Sequence, residues 1–277
     1  MLTAFAVKLV AMIDYVRKTM KILVTNDDGI KAEGLWALAG ELQKIAEVIV
    51  VAPDGERSGI GTAVTLFQPL HLEEFNAPIP GVSAYTIDGS PSDSVILPLG
   101  KLVRDGVAIV VSGVNPNLNL GEDVYISGTV GAAMQGYFRG LPALAVSAPL
   151  NSQAGLVTGA RVAAILAQKM VSERLAKIFL NVNVPGLPLK EIKGVKITRL
   201  ARSSHINSVE ENNDGSRQQY QLVRERLPAA GSEGTDIQAI MQGDISITPL
   251  YTSLLDKPPQ HLLKKIHAEL LNELKKG

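Results

Sequence analysis

Apolar residues in this chain come in short unbroken runs, and each run ends in a polar turn. Ile22-Leu23-Val24 leads into Thr25-Asn26-Asp27-Asp28-Gly29, and Val48-Ile49-Val50-Val51-Ala52 leads into Pro53-Asp54-Gly55. Unbroken runs of β-formers are the pattern of parallel strands covered on both faces. Between them Leu35, Trp36, Leu38, Ala39 and Leu42 recur at helical spacing, so the first stretch reads as a β-α-β unit. Further strands are predicted at Val107–Val111, Leu144–Val146 and Ile178–Pro185, and an amphipathic helix over 154–171. Residues 63–87 alternate well enough for two or three strands forming a side layer. Asp88-Gly89-Ser90-Pro91-Ser92-Asp93-Ser94 then reads as a turn and a helix through Leu99, with Ser90 as cap. The class is α/β, a doubly wound, mostly parallel, Rossmann-like sheet whose winding is expected to end near Pro185.

Both ends depart from this pattern. Residues 200–234 are polar and poorly periodic, with Asn212-Asn213-Asp214-Gly215 as a hairpin turn, and predict a projecting C-terminal β-hairpin arm. From Pro258 onward, His261, Leu262, Ile266, Leu270 and Leu274 make one stripe flanked by Lys264, Lys265, Glu269 and Glu273, the mark of a terminal amphipathic helix. Leu2, Phe5, Leu9, Met12, Ile13, Val16 and Met20 fall near one helical face, but Lys8 and Asp14 break the run before it can span a membrane. The division expected is an extension over 1–19, a catalytic core over 20–190, and an arm and helix over 191–277 serving oligomerisation.

Composition narrows the partners. Lys plus Arg equals Asp plus Glu at 27 each, so no basic field draws in a nucleic-acid polymer or an anionic membrane, and a small substrate is favoured. The chain has no cysteine, which excludes disulfides, a thiol nucleophile and thiolate metal sites, and fits a cytoplasmic location.

The candidate chemistry lies where strands end. Adjacent carboxylates at Asp27 and Asp28 repel each other unless a cation lies beside them; the simpler alternative is a solvated Asp-Gly turn. Ser58, in Arg57-Ser58-Gly59 after the second strand, can present its hydroxyl there or serve only as a turn former. Asn115, Asn117 and Asn119 alternate after the strand at 107–111, an amide cluster suited equally to metal and phosphate. Ser127-Gly128-Thr129 opens a helix of small residues, where free N–H groups and the helix dipole favour an anion, although small residues also serve tight packing. The donors are oxygens, which suit magnesium, manganese or calcium better than zinc, and the four histidines, His71, His205, His261 and His267, lie away from these loops. Two aspartates in immediate succession do not match the haloacid-dehalogenase spacing, and Gly59-Ile60-Gly61 lacks the third glycine of a nicotinamide-binding turn.

Taken in order, these motifs resemble the SurE family, the stationary-phase survival proteins. The likeness is carried by Lys21 to Gly29, Ala52-Pro53 with Arg57-Ser58-Gly59, Asp88 to Asp93, Val111 to Asn115 with Asn119-Leu120-Gly121, Tyr125 with Ser127 to Val130, and Gly234-Thr235-Asp236 with Thr248-Pro249-Leu250. One departure is Asn117, where family members commonly have glycine. The resemblance implies a metal-dependent phosphomonoesterase acting on nucleoside monophosphates, a 5′- or 3′-nucleotidase. The alternative is a regulatory module that binds metal and nucleotide without turnover. The resemblance further implies one divalent cation per subunit, Mg2+ or Mn2+, held by Asp27, Asp28, Ser58 and Asn115. It implies a phosphate pocket at Asn119, Ser127, Gly128 and Thr129, with Asp27 or Asp28 also acting on the attacking water. Relatives assemble through C-terminal elements, so a homodimer or homotetramer is expected.

Overall fold

The computed structural model describes residues 20–103, 106–149, 153–173, 178–202, 206–213, 218–224 and 232–250. The proposed extension 1–19, the turn at Asp214-Gly215 and the tail from Pro258 lie outside the described residues.

A nine-stranded sheet carries the chain, in the order β3-β4-β2-β1-β5-β6-β7-β11-β8. Near its centre lies β1 (Lys21–Thr25), flanked by β2 (Glu47–Pro53) and by the middle strand β5 (Val107–Asn115), with β6 (Ala143–Ser147) and β7 (Phe179–Asn183) beyond β5. These strands, together with β4 (Ser83–Ile87), all run parallel. The short β3 (Leu72–Glu74) closes one edge antiparallel to β4, so residues 63–87 supply two strands that form the edge of the main sheet and not the side layer expected. Ile22, Val24, Val48 and Val50 enter one apolar cluster while Leu23, Ile49 and Val51 enter another, which is why the runs are unbroken: both faces are covered.

The sheet does not end near Pro185. β11 (Asp244–Pro249) pairs antiparallel with β7, and β8 (Gly194–Ile197) pairs parallel with β11, so strands from beyond residue 190 complete the core sheet. β8 has four residues and β11, Asp-Ile-Ser-Ile-Thr-Pro, alternates instead of running apolar, and β11 becomes a sheet strand by pairing with β7, about 60 positions earlier in sequence. The arm is present as β9 (Ile206–Asn213) and β10 (Gln218–Arg224), antiparallel and forming their own two-stranded sheet.

Helices α1 (Glu33–Leu42) and α4 (Gln153–Ser172) share one face, where Leu35, Leu38 and Leu42 meet Leu156, Ala160 and Ala163 in a single cluster. Helices α2 (Asp93–Leu97) and α3 (Gly128–Phe138) cover the other face. α1 links β1 to β2 and α3 links β5 to β6, stepping in opposite directions on opposite faces, so these crossovers share a hand. α4 steps from β6 to β7 in the direction of α3 but on the face of α1, and its crossover therefore has the opposite hand, against the usual rule. This winding places the first turns of α4 beside α1. The short α5 (Asp236–Met241) precedes β11.

Because β2 lies on one side of β1 and β5 on the other, the order reverses between β1 and β5. Their carboxyl ends flank the crevice where open α/β sheets bind ligands.

Candidate active site

The turn after β1 is locked by its own residues. Asn26 Nδ2 donates to the Gly29 carbonyl and Asn26 Oδ1 accepts from the Gly29 N–H, while Gly29 has φ +96°. A Cβ at Gly29 would lie 2.9 Å from the Gly55 carbonyl carbon, so the turn and the loop after β2 touch through backbone. Arg57 N–H donates to the Asp27 carbonyl at 2.7 Å and ties the two loops together. The Asp-Gly turn is therefore not a solvated one: Asp27 is only 4% exposed.

The two carboxylates look in different directions. Asp27 packs under the start of α3, where the Thr129 hydroxyl donates to its Oδ1 and a Cβ on Gly128 would stand 2.7 Å from the Asp27 Cβ. Asp28 faces the α1 and α4 side and borders a cavity with Ala32, Val114 and Leu156. Its Oδ2 is buried and has no hydrogen-bond partner among the described residues. Burial raises the Asp27 pKa, opposed by the Thr129 hydroxyl. Burial, then the charges of Asp27 and Glu56, push Asp28 up to about 7. A buried carboxylate beside a half-buried one with an unpartnered oxygen calls for positive charge, and no basic side chain among the described residues is bonded to either.

The other predicted residues gather around this edge to different degrees. Asn115, the last residue of β5, is buried; its Nδ2 donates to the Asn117 carbonyl, leaving the side-chain oxygen as its acceptor. Ser58 is exposed, and its hydroxyl donates to Glu56 Oε1 at 3.0 Å instead of pointing to either aspartate. Ser127 caps α3, its Oγ accepting from the Val130 N–H at 3.2 Å. Thr129 is completely buried and holds Asp27. Asn119 sits in an amide network: its N–H donates to Asn183 Oδ1, its Nδ2 to Ser147 Oγ, and its carbonyl accepts from Asn181 and Asn183.

That network contains residues the sequence reading passed over. Asn181 and Asn183 alternate with Leu180 and Val182 in β7, a strand otherwise apolar, and a polar residue repeated at every second position of a buried strand was the available signal. Asp236 is also fully buried, and accepts from the N–H of Gly121 at 2.8 Å and of Ala201 at 2.9 Å, which joins α5 to the end of the asparagine loop. Asp93 accepts from the N–H groups of Thr65 and Ser90, while Ser90 Oγ accepts from the Asp93 N–H. These reciprocal bonds tie Ser90 to the first residue of α2, but the N-cap position of that helix is Ser92, which makes no side-chain cap bond, so the cap expected at Ser90 is corrected. Among the described residues no three His, Cys, Asp or Glu side chains cluster, so a cation here would rely on two carboxylates plus neutral oxygens.

Buried acidic groups at the switch point of a parallel sheet, beside a helix N-terminus, define a class: α/β proteins whose polar site is built from strand-end loops. The family model described as Survival protein SurE matches residues 22–207. Proteins named 5′-nucleotidase SurE are similar over most of their length. The one from Dehalococcoides mccartyi is 47% identical over 243 residues, 87% of this chain and 92% of the relative. The one from Haemophilus influenzae is 42% identical over 240 residues, 85% of this chain and 92% of the relative. The crystal structure of the SurE protein from Aquifex aeolicus superposes with a TM-score of 0.74 at 33% identity, covering 89% of this chain and 98% of that one. This chain belongs to the SurE family.

Proposed function

We propose that this protein hydrolyses nucleoside monophosphates to nucleoside and phosphate at the Asp27-Asp28 edge, as a metal-dependent 5′- or 3′-nucleotidase. The observation that carries the reading is the buried Asp28 Oδ2, without a partner among the described residues, next to the buried carboxylate of Asp27, in a chain 47% and 42% identical to relatives named 5′-nucleotidase SurE.

The donor set fits one hard divalent cation, Mg2+ or Mn2+, held by Asp27, Asp28 and Asn115, and by Ser58 once its hydroxyl leaves Glu56. When bound, such a cation neutralises phosphoryl charge and acidifies a coordinated water. The chain's own groups do the rest. Thr129 fixes the Asp27 carboxylate under α3, so Asp27 supplies fixed negative charge. Asp28 keeps an oxygen free to accept a proton from the attacking water. The Gly128 N–H and the Ser127 hydroxyl hydrogen, at the positive end of α3, are donors for phosphate oxygens. Asn119, clamped by three side chains, completes the pocket wall.

We further take the working unit to be a cytoplasmic homodimer or homotetramer assembled through residues beyond 190. Support comes from the two-stranded arm, where Val209, Tyr220 and Leu222 are 59%, 63% and 71% exposed. An isolated hairpin is marginal in water. Phosphate release from nucleoside monophosphates with added Mg2+ or Mn2+ tests the activity. Nucleotide binding without any release would favour the regulatory-module reading.

A further inference from the structure

Strand β7, Phe-Leu-Asn-Val-Asn, carries Asn181 and Asn183 on one face, and both are completely buried. Both reach the same residue. Asn181 Nδ2 donates to the Asn119 carbonyl at 2.8 Å, and Asn183 Nδ2 donates to the same oxygen at 2.9 Å while its Oδ1 accepts from the Asn119 N–H at 2.8 Å. We propose that Asn181 is a positioning residue, kept in β7 at a cost in stability, which fixes how Asn119 presents its side chain to a phosphate; the inference rests on the phosphomonoesterase reading.

The cost is visible at Asn181 itself. Asparagine is a poor strand former, and a buried amide needs partners at both of its ends. Nδ2 has Asn119, but Oδ1 has no partner among the described residues. Its register neighbours give the reason: Ala145 on β6 has no polar side chain, and the Thr248 hydroxyl on β11 is engaged with Thr198 at 2.8 Å. An apolar residue such as the flanking Leu180 or Val182 would leave no polar atom unserved. Four buried hydroxyls, those of Thr25, Thr86, Ser92 and Ser112, also lack a partner among the described residues, but Asn181 alone joins such an atom to a bond on Asn119. A local rule broken without local gain points to a gain elsewhere.

That gain lies in the loop leaving β5. Asn115, the last residue of β5, stands in register with Ser147 on β6, and Ser147 with Asn183 on β7. The loop crosses the carboxyl ends of these two strands, and Asn119 Nδ2 donates to Ser147 Oγ at 2.8 Å on the way. The N–H, the carbonyl and one amide hydrogen of Asn119 are thus engaged, which leaves its second amide hydrogen for a phosphate oxygen. Asn181 supplies one of the two bonds on the Asn119 carbonyl, and the Gly121 N–H two residues on is held by Asp236. Without Asn181 the peptide between these anchors is free to tilt, and the Asn119 side chain turns with it.

The test uses the full chain with Mg2+ and inorganic phosphate as the probe, measured by calorimetry and as a competitive inhibitor of AMP hydrolysis. Mg2+ affinity and melting temperature are measured alongside. Asn181→Leu nearly keeps the size and removes both polar atoms. It is expected to melt at or above the parent, to bind phosphate about tenfold more weakly, and to lower kcat/KM for AMP about 10–100-fold, with Mg2+ affinity unchanged. On an Asn119→Ala background, where no amide remains to be positioned, the same substitution should change phosphate affinity and kcat/KM little.

Parental phosphate affinity in Asn181→Leu overturns the proposal. So does an equal loss of Mg2+ and phosphate affinity, which marks a collapsed loop, and so do additive losses in the double variant, which mean that Asn181 acts apart from Asn119. A folded Asn181→Leu that melts well below the parent shows a merely structural amide and overturns it too. If Asn181→Leu is too crowded to fold, Asn181→Ala decides: a clear loss of phosphate affinity supports the proposal and an unchanged one rejects it. A parent that releases no phosphate from AMP sinks the phosphomonoesterase reading, while a phosphate affinity that still depends on Asn181 keeps the positioning role at an anion-binding site.

Discussion

The Thr129 hydroxyl donates to Asp27 Oδ1 across 102 positions of sequence, tying the first turn of α3 to the end of β1. Both partners are buried, so no water can replace the donor. Thr129→Val keeps the volume and removes the hydrogen bond. Turnover is expected to fall about 10–100-fold, the usual cost of losing a partner that orients a ligand. Thr129→Ser should recover most of it. Equal rates for the Val and Ser variants would show that the contact has no part in catalysis.

Asp27→Asn and Asp28→Asn should each reduce nucleotide hydrolysis to background while leaving the circular dichroism spectrum unchanged, and chelation of the parent should do the same. Near-parental hydrolysis by both variants in chelated buffer rules out the metal mechanism.

Asp28 also predicts a pH effect in metal-free protein. Its pKa is raised from 3.8 to about 7 by burial, Asp27 and Glu56, so between these values the folded state binds the proton more tightly than the unfolded state does. Stability from this group is present below about pH 4 and is lost as pH rises toward 7. Chelated Asp28→Asn should therefore melt higher than the chelated parent at pH 8, and its melting temperature should vary less between pH 4 and 7. Parallel melting curves across that range would contradict the assignment.

Asp236 accepts from Gly121 and Ala201, both buried attachments between α5, the asparagine loop and the start of the arm. Asp236→Ala leaves these N–H groups without an acceptor and should cost about 3 kcal/mol in urea unfolding. Asp236→Asn, which keeps one acceptor oxygen, should cost less. A loss below about 1 kcal/mol for the Ala variant would mean that water replaces the carboxylate.

Gly34 gives a prediction whose sign opposes helix propensity. Alanine gains about 1 kcal/mol over glycine inside a helix, yet a Cβ here would stand 2.1 Å from the Val114 carbonyl. Gly34→Ala should destabilise by about 2–3 kcal/mol and displace α1 from β5. A neutral or stabilising result would show that α1 can shift freely.

The sequence alone determined the elements whose cause is local. Unbroken apolar runs fixed the central parallel strands, Asn26 to Gly29 declared the turn that holds two carboxylates, and Ser127 before Gly128 and Thr129 marked a helix start, because periodicity and turn chemistry act within a few residues. Ordered motifs also marked the edge where Asp27, Asn115 and Thr129 lie. Tertiary structure decided what depends on distant partners. β8 is only four residues long and β11 alternates polar and apolar residues instead of forming an unbroken apolar run, and both become sheet strands through pairing that begins at β7. Asn181 and Asn183 read as strand residues until the Asn119 loop closes over them, and Asp236 has no visible task until Gly121 arrives 115 positions away. The unusual hand of the α4 crossover, which sets Leu156 beside Asp28, has no sequence signature, since the same amphipathic helix packs equally well on either face of a sheet.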